Sequence, residues 1–178
     1  MHTSQEKGEH TMHEMTQANL EAAFAGESQA HMKYKIFADK AEEEGYPQVA
    51  RLFRAISFAE QVHATNHFRQ LQGIGETADN LGVAIGGENY ENTEMYPSFN
   101  AVAKLQGEKG AMLSIHYALE AEKIHEAMYG EAKSRVESGV AIEEEPVYIC
   151  PVCGYTVIGT PPEKCPVSST PASKFVKF

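Results

Sequence analysis

The stretch Leu119-Glu120-Ala121-Glu122-Lys123-Ile124-His125-Glu126-Ala127-Met128-Tyr129 decides the fold. Its stripe begins at Met112 and Ile115, passes through Leu119, Glu122, His125 and Tyr129 and runs on to Val136, so one carboxylate and one imidazole share the apolar face of a helix. Upstream, Val49, Phe53, Ile56, Glu60, His63 and His67 repeat the arrangement, with Glu60 and His63 again at i and i+3. Another stripe, Leu20, Phe24, Glu27, His31 or Ala30, Tyr34, Ala38 and Ala41, contributes Glu27. A further one, Glu88, Glu91, Met95, Phe99 and Val102, contributes two carboxylates, with Glu94 in reach. A lone buried carboxylate is costly. Several together repel one another, raise their pKa values and weaken the fold unless cations neutralise them. Two divalent or trivalent metals meet that need, and oxygen with imidazole ligands suits iron or manganese. A single Glu-x-x-His is common by chance on a glutamate-rich helix. Two copies on core stripes, each matched by a glutamate from another helix, fit the di-metal carboxylate pattern of helical bundles.

Working outward, residues 16–72 and 80–138 read as helical from their three- and four-residue apolar spacing. The first region breaks at Gly45-Tyr46-Pro47, giving two antiparallel helices. The second contains Pro97, expected to kink a third helix, and Gly107 and Gly110, so one helix ends near 106 and another spans about 108–138. Gly73 to Gly87, rich in glycine and polar residues, is expected to be a long crossover. Four helices with one long crossover resemble the ferritin-like bundle. From Glu143 onward prolines, cysteines and short β-prone pieces, Pro146–Ile149 and Tyr155–Ile158, replace the helical phase. The expected organisation is a disordered arm over 1–13, a helical domain over 14–140 and a small tail domain over 146–178. His2, His10 and His13 in the arm receive no role.

The whole chain has 178 residues, 42% of them hydrophobic, and a formal net charge of −10. That supplies a core and disfavours a nucleic-acid backbone as partner. No apolar run approaches the roughly 20 residues that span a bilayer, and the polar start is not signal-like, so a cytoplasmic protein without a membrane partner is expected. Cys150, Cys153 and Cys165 suit a metal site better than a disulfide framework. Cys150-Pro151-Val152-Cys153 is one knuckle of a tetrahedral iron or zinc site, but its mate reads Cys165-Pro166-Val167-Ser168, with the harder serine hydroxyl in place of a fourth thiolate. One Fe or Zn is therefore expected to bind weakly, to have oxygen or water completing its shell, or to leave the site empty. Ser169 stands where a glycine would ease the turn. His31 and His67 read as core groups or hydrogen-bonding neighbours of the ligands, His116 as a surface or interface residue, and Glu120 and Glu126 as solvated.

With these motifs in order, the chain resembles the rubrerythrin family over nearly its whole length. Asn19-Leu20 through Ala30 resembles the opening helix, Glu44-Gly45-Tyr46 the first turn and Glu60-Gln61-Val62-His63-Ala64 the second ligand motif. Gly87-Glu88-Asn89-Tyr90-Glu91 with Glu94-Met95-Tyr96-Pro97 resembles the third, Glu122-Lys123-Ile124-His125 the fourth, and Cys150 to Cys165 the rubredoxin-like tail. The resemblance implies an all-α ferritin-like four-helix bundle with a small C-terminal rubredoxin-like β/knuckle domain. It implies Glu60 and Glu122 as bridges between two irons, Glu27 as terminal ligand to one, and Glu88 with His125 as ligands to the other. Glu91 and His63 are implied as a mobile pair, exchanged with redox state during two-electron reduction of hydrogen peroxide to water, and Tyr34 and Tyr96 as tyrosines behind the ligands. A homodimer is expected, with electrons drawn from reduced nicotinamide through a reductase or rubredoxin; Ser168 weakens that relay through the tail. The expected activity is a non-haem di-iron peroxidase in oxidative-stress defence. The alternatives are a ferritin-like ferroxidase or iron-handling protein using oxygen or peroxide, and a non-enzymatic metal-stabilised helical adaptor.

Overall fold

A computed structural model of the chain describes residues 12–141 and 144–178. The arm expected over 1–13 therefore lies almost wholly outside the described residues, and 142–143 fall within the expected interdomain boundary. The chain forms two compact units, Met1–Ile74 and Gly75–Phe178.

In the first unit α1 (Glu14–Glu43) and α2 (Pro47–Gln70) form a helical hairpin. The turn between them closes through Gly45 N–H to Glu42 O at 3.0 Å and Tyr46 N–H to Ala41 O at 2.8 Å. Gly45 adopts φ 81°, open to glycine without steric cost, and Pro47 opens α2 where its missing N–H is not needed. Small residues line the seam: Ala38, Ala41, Ala50, Ala64 and Ser57 are buried. A pair of helices has one seam, and alanines here let the backbones approach. Val49 and Ile56, expected to face inward, are accordingly exposed. Across the seam His31 Nδ1 lies 2.9 Å from Ser57 O, while Ser57 Oγ donates to His31 O at 2.8 Å, so His31 is a core clip between the helices.

In the second unit α3 (Thr77–Tyr90), a π-helical turn (Glu91–Met95) and α4 (Tyr96–Gln106) run on continuously, and α3, the turn and α4 all pack against α5 (Lys109–Ser138). The long crossover is thus shorter than expected, because Thr77 to Gly87 is helical. Asn80 accounts for the early start: its side chain accepts from Gly75 N–H at 2.9 Å and donates to Gly75 O at 2.8 Å, stapling the entry to the first turns of α3. Pro97, at the start of α4, follows a π turn that already leaves the regular hydrogen-bond ladder, so the irregularity lies ahead of the proline.

The tail forms a three-stranded antiparallel sheet, β1 (Val147–Ile149), β2 (Thr156–Ile158) and β3 (Val176–Lys177), in the order β2-β1-β3, with a 3-10 turn at Ala172–Lys174. Its small core is Cys150, Cys153 and Cys165, covered by Tyr155, Val167, Phe175 and Tyr117 of α5. The architecture is a four-helix-bundle fold with a small C-terminal knuckle domain.

Candidate metal centres

Each compact unit carries one Glu/Glu/His triad. In the first, α1 supplies Glu27 and α2 supplies Glu60 and His63, with ligand atoms within 4.8 Å of one another. His63 Nδ1 lies 2.9 Å from Glu60 Oε2 and 3.7 Å from Glu27 Oε1. The Glu-x-x-His spacing alone aligns Glu60 and His63 on one helical face, and the hairpin brings Glu27 to them. The Glu27 carboxyl is pushed above its ordinary pKa by its hydrogen bond with Glu60, with partial burial and the Glu60 charge adding to it, while His63 and His67 oppose the rise.

In the second unit Glu88 of α3 meets Glu122 and His125 of α5, again with ligand atoms within 4.8 Å. His125 Nδ1 lies 2.6 Å from Glu122 Oε2. Glu88 is raised to about 7 by burial first, then by its hydrogen bond with Glu122 and the charges of Glu122, Glu91 and Glu126. Glu91, in the π turn, is raised by burial and by Glu122, with His125 opposing. The Tyr96 hydroxyl is raised by burial and by the charges of Glu91, Glu122 and Glu88, so it faces this carboxylate group. Tyr34 belongs to an aromatic cluster, its ring 6.0 Å from Phe53 and 6.4 Å from Phe37. Glu94 is exposed and does not join the triad.

Two features escaped the sequence reading. Glu126, expected to be solvated, is half-buried and accepts from Asn89 Nδ2 at 3.0 Å and Asn92 Nδ2 at 2.8 Å, tying the π turn to α5 beside Glu91. His125 Nε2 reaches Thr156 Oγ1 of β2 at 2.7 Å. The Glu126 contact had a signal, two asparagines beside a ligand motif; the Thr156 contact had none. His116 is exposed, as expected.

In the tail the three cysteine sulfurs lie within 4.8 Å of one another. Cys153 Sγ and Cys165 Sγ are 3.4 Å apart, and Ser168 Oγ is 3.3 Å from Cys150 Sγ and 2.8 Å from Thr170 Oγ1. Burial works against ionisation of Cys150, but hydrogen bonds from Ser168, Val152 N–H, Thr170 and Cys153 N–H prevail and lower its thiol to about 6. Burial pushes Cys153 up to about 11. Ser169 adopts φ 60°, a strained conformation that a glycine would relieve.

These donor sets suit cations. Clustered carboxylates whose pKa values are raised by burial and by one another gain most from a bound metal, and the oxygen-nitrogen chemistry of both triads matches iron. The tail offers three sulfurs for Fe or Zn, with the Ser168 hydroxyl beside Cys150. Fold and ligands together define a ferritin-like di-iron carboxylate protein with a rubredoxin-like tail.

Comparison with known proteins narrows the class. The Rubrerythrin family model matches residues 18–133, and the model of the rubredoxin-like domain of rubrerythrin matches 148–176. The chain is 40% identical over 178 aligned residues to Rubrerythrin-2 of Clostridium acetobutylicum, an alignment covering 92% of this chain and 97% of that one. It is 36% identical to rubrerythrin of Porphyromonas gingivalis, covering 90% of this chain and 88% of that one. A solved structure of nigerythrin in its fully reduced, all-ferrous state matches with TM-score 0.56 and 32% identity, covering 97% of this chain and 90% of the other. The chain belongs to the rubrerythrin family.

Proposed function

We propose that the chain is an oxidoreductase that reduces hydrogen peroxide to water at a non-haem di-iron centre, taking its electrons from a redox partner in oxidative-stress defence. The observation that carries this reading is the pair of Glu/Glu/His triads, one per helix pair, in a chain of this family. Two ferrous ions held there would supply the two electrons that peroxide takes up with two protons to form two waters. The protein's own residues do the rest. Glu27, Glu60, Glu88, Glu122 and His125 are proposed as the ligands that would hold the two irons, in the roles the family resemblance implies. Glu91 and His63 are proposed as the exchangeable pair: with irons bound, the carboxylate would favour the more highly charged oxidised state and the imidazole would serve the reduced one. His63 suits such a conditional role, since its side chain is 53% exposed against 26% for His125. Tyr96, held neutral among carboxylates, is poised to orient Glu91 or to hand a proton to a departing oxygen. Tyr34 is proposed to serve the first triad in the same sense.

The domains follow as 14–140 for the bundle and 146–178 for the tail. Cys150, Cys153 and Cys165 hold one Fe or Zn, with Ser168 making the tail a poorer electron relay than an all-sulfur site. The physiological donor in this reading is a rubredoxin or an NADH-linked reductase. A homodimer is part of it, supported by large apolar side chains left exposed on the helices, such as Ile36 at 57% and Leu105 at 87%. No described helix is long and apolar enough to cross a membrane, and a cytoplasmic location accords with the family's reductant-dependent chemistry.

Stopped-flow mixing of anaerobically iron-loaded protein with peroxide and, separately, with oxygen tests the assignment. Fast oxidation by peroxide and slower oxidation by oxygen, with two irons per bundle, are expected. Faster reaction with oxygen, or assembly into a shell by solution mass, would favour iron oxidation and storage instead.

A further inference from the structure

Within the second unit one hydrogen-bonded chain joins the carboxylate triad to the cysteine-bearing tail. His125 Nε2 lies 2.7 Å from Thr156 Oγ1, and Thr156 Oγ1 lies 2.9 Å from Gly154 O. A carbonyl oxygen can only accept, so the single hydroxyl proton of Thr156 goes to Gly154 O. The hydroxyl oxygen must then accept from His125, which places a proton on Nε2. Nδ1, 2.6 Å from Glu122 Oε2, faces the ligand cluster, and in the metal-free chain it shares a second proton with that carboxylate, the proton a metal would displace.

Thr156 is well placed to enforce this. It is 6% exposed, begins β2, and is paired with Ile149 across the sheet. The turn before it is held by Gly154 N–H to Cys150 O at 3.0 Å and Cys150 N–H to Tyr155 O at 2.9 Å. Gly154 has φ 79°, and a Cβ built there would stand 3.5 Å from Ala121 Cβ, so the knuckle is seated closely on α5 one turn before His125. The other triad has no counterpart: among the described residues His63 is held through Nδ1 alone.

We propose that Thr156 is a positioning residue for His125: it fixes the imidazole with a proton on Nε2 and turns Nδ1 to the ligand cluster, where a metal would bind, and so makes one triad's readiness depend on the folded tail. The proposal rests on the di-iron reading above for its metal consequence, but not for the tautomer itself. An imidazole held this way pays no reorientation on binding, and partners of this kind behind a ligating histidine typically change metal affinity by about 10- to 100-fold. Loss of the hydroxyl frees the ring to rotate and lets either nitrogen carry the proton.

The test uses the full chain in three forms: parent, Thr156→Val, which keeps shape but removes the hydroxyl, and Thr156→Ser, which restores it. Nitrogen-15 spectra of histidine-labelled, metal-free protein report which ring nitrogen bears the proton, and anaerobic Fe(II) titration reports the two bundle sites separately. The expected result is a slowly exchanging Nε2 proton on His125 in the parent and in Thr156→Ser, lost in Thr156→Val. One iron site should weaken about 10- to 100-fold in Thr156→Val, the other staying unchanged. A parent spectrum with the His125 proton on Nδ1 alone overturns the proposal. So does a Thr156→Val chain that binds both irons as the parent does, or a Thr156→Ser chain as impaired as Thr156→Val. A parent that shows the Nε2 proton but never takes up an iron pair refutes the di-iron reading and leaves the tautomer assignment standing.

Discussion

At the residue scale the two histidines of the Glu-x-x-His motifs are indistinguishable in sequence and differ in their surroundings. His125 is engaged at both ring nitrogens, by Glu122 and by Thr156. His63 is engaged at one ring nitrogen and lies in the open. Replacing His125 with Ala is therefore expected to remove one iron in both oxidised and reduced protein. Replacing His63 with Ala should chiefly disturb the reduced protein, leaving the oxidised pair nearly intact. Iron counting together with Mössbauer spectra of both redox states checks this, and equal loss from the oxidised form in the two variants would contradict it. The ligand types were readable in the sequence because an i, i+3 pair is a local relation that any helix honours. Which histidine is clamped was not readable, because Thr156 stands 31 positions from His125.

At the scale of elements the π turn Glu91–Met95 interrupts an otherwise continuous helix at the position of Glu91. A π turn widens the backbone and swings the following residues round the helix axis, which re-aims side chains at functional sites. Glu126 holds this turn through Asn89 and Asn92, so the carboxylate that escaped attention as solvated anchors the element bearing Glu91. Apolar periodicity marked the helices correctly but missed both the turn and the helical content of Thr77 to Gly87, because glycine-rich composition outweighed the Asn80 staple in the reading. The carboxylates gathered across α1–α2 and across α3–α5 also give these elements a pH dependence. In metal-free protein Glu88 keeps its proton in the folded state up to about 7, whereas the unfolded chain releases it near 4.5. The folded chain thus binds more protons between those values. Its stability is greatest below the lower one, falls as pH rises through the interval and levels off above it, with Glu27 and Glu91 acting in the same direction. Thermal unfolding in chelator across this range should show the melting temperature dropping as pH rises. Iron loading should abolish the drop, because bound cations favour the ionised carboxylates. A metal-free chain whose stability rises steadily over the same interval would refute the crowding.

At the scale of the whole molecule the proposed reading makes the tail the route by which electrons would arrive. Three thiolates and a hydroxyl give a harder, less symmetric ligand set than four thiolates, and hard oxygen donors favour the ferric state. Ser168→Cys should therefore bind iron more fully, show the optical bands of an all-sulfur ferric centre and speed reduction of the bundle irons several-fold. Metal analysis and single-turnover reduction check this, and an unchanged rate despite a filled site would show that the tail is no relay. The sequence by itself determined the helices, the candidate carboxylate and imidazole ligands and the incomplete cysteine set, because each is a matter of residue type at short spacing. Tertiary structure alone decided which ligand is clamped and what holds the π turn. Glu126 reaches Asn89 and Asn92 across 37 and 34 positions. The same holds for the tail's docking on α5 through Gly154, Thr156 and Tyr117. Such contacts depend on where the chain returns in space, and hydrophobic periodicity along one element carries no record of its neighbour.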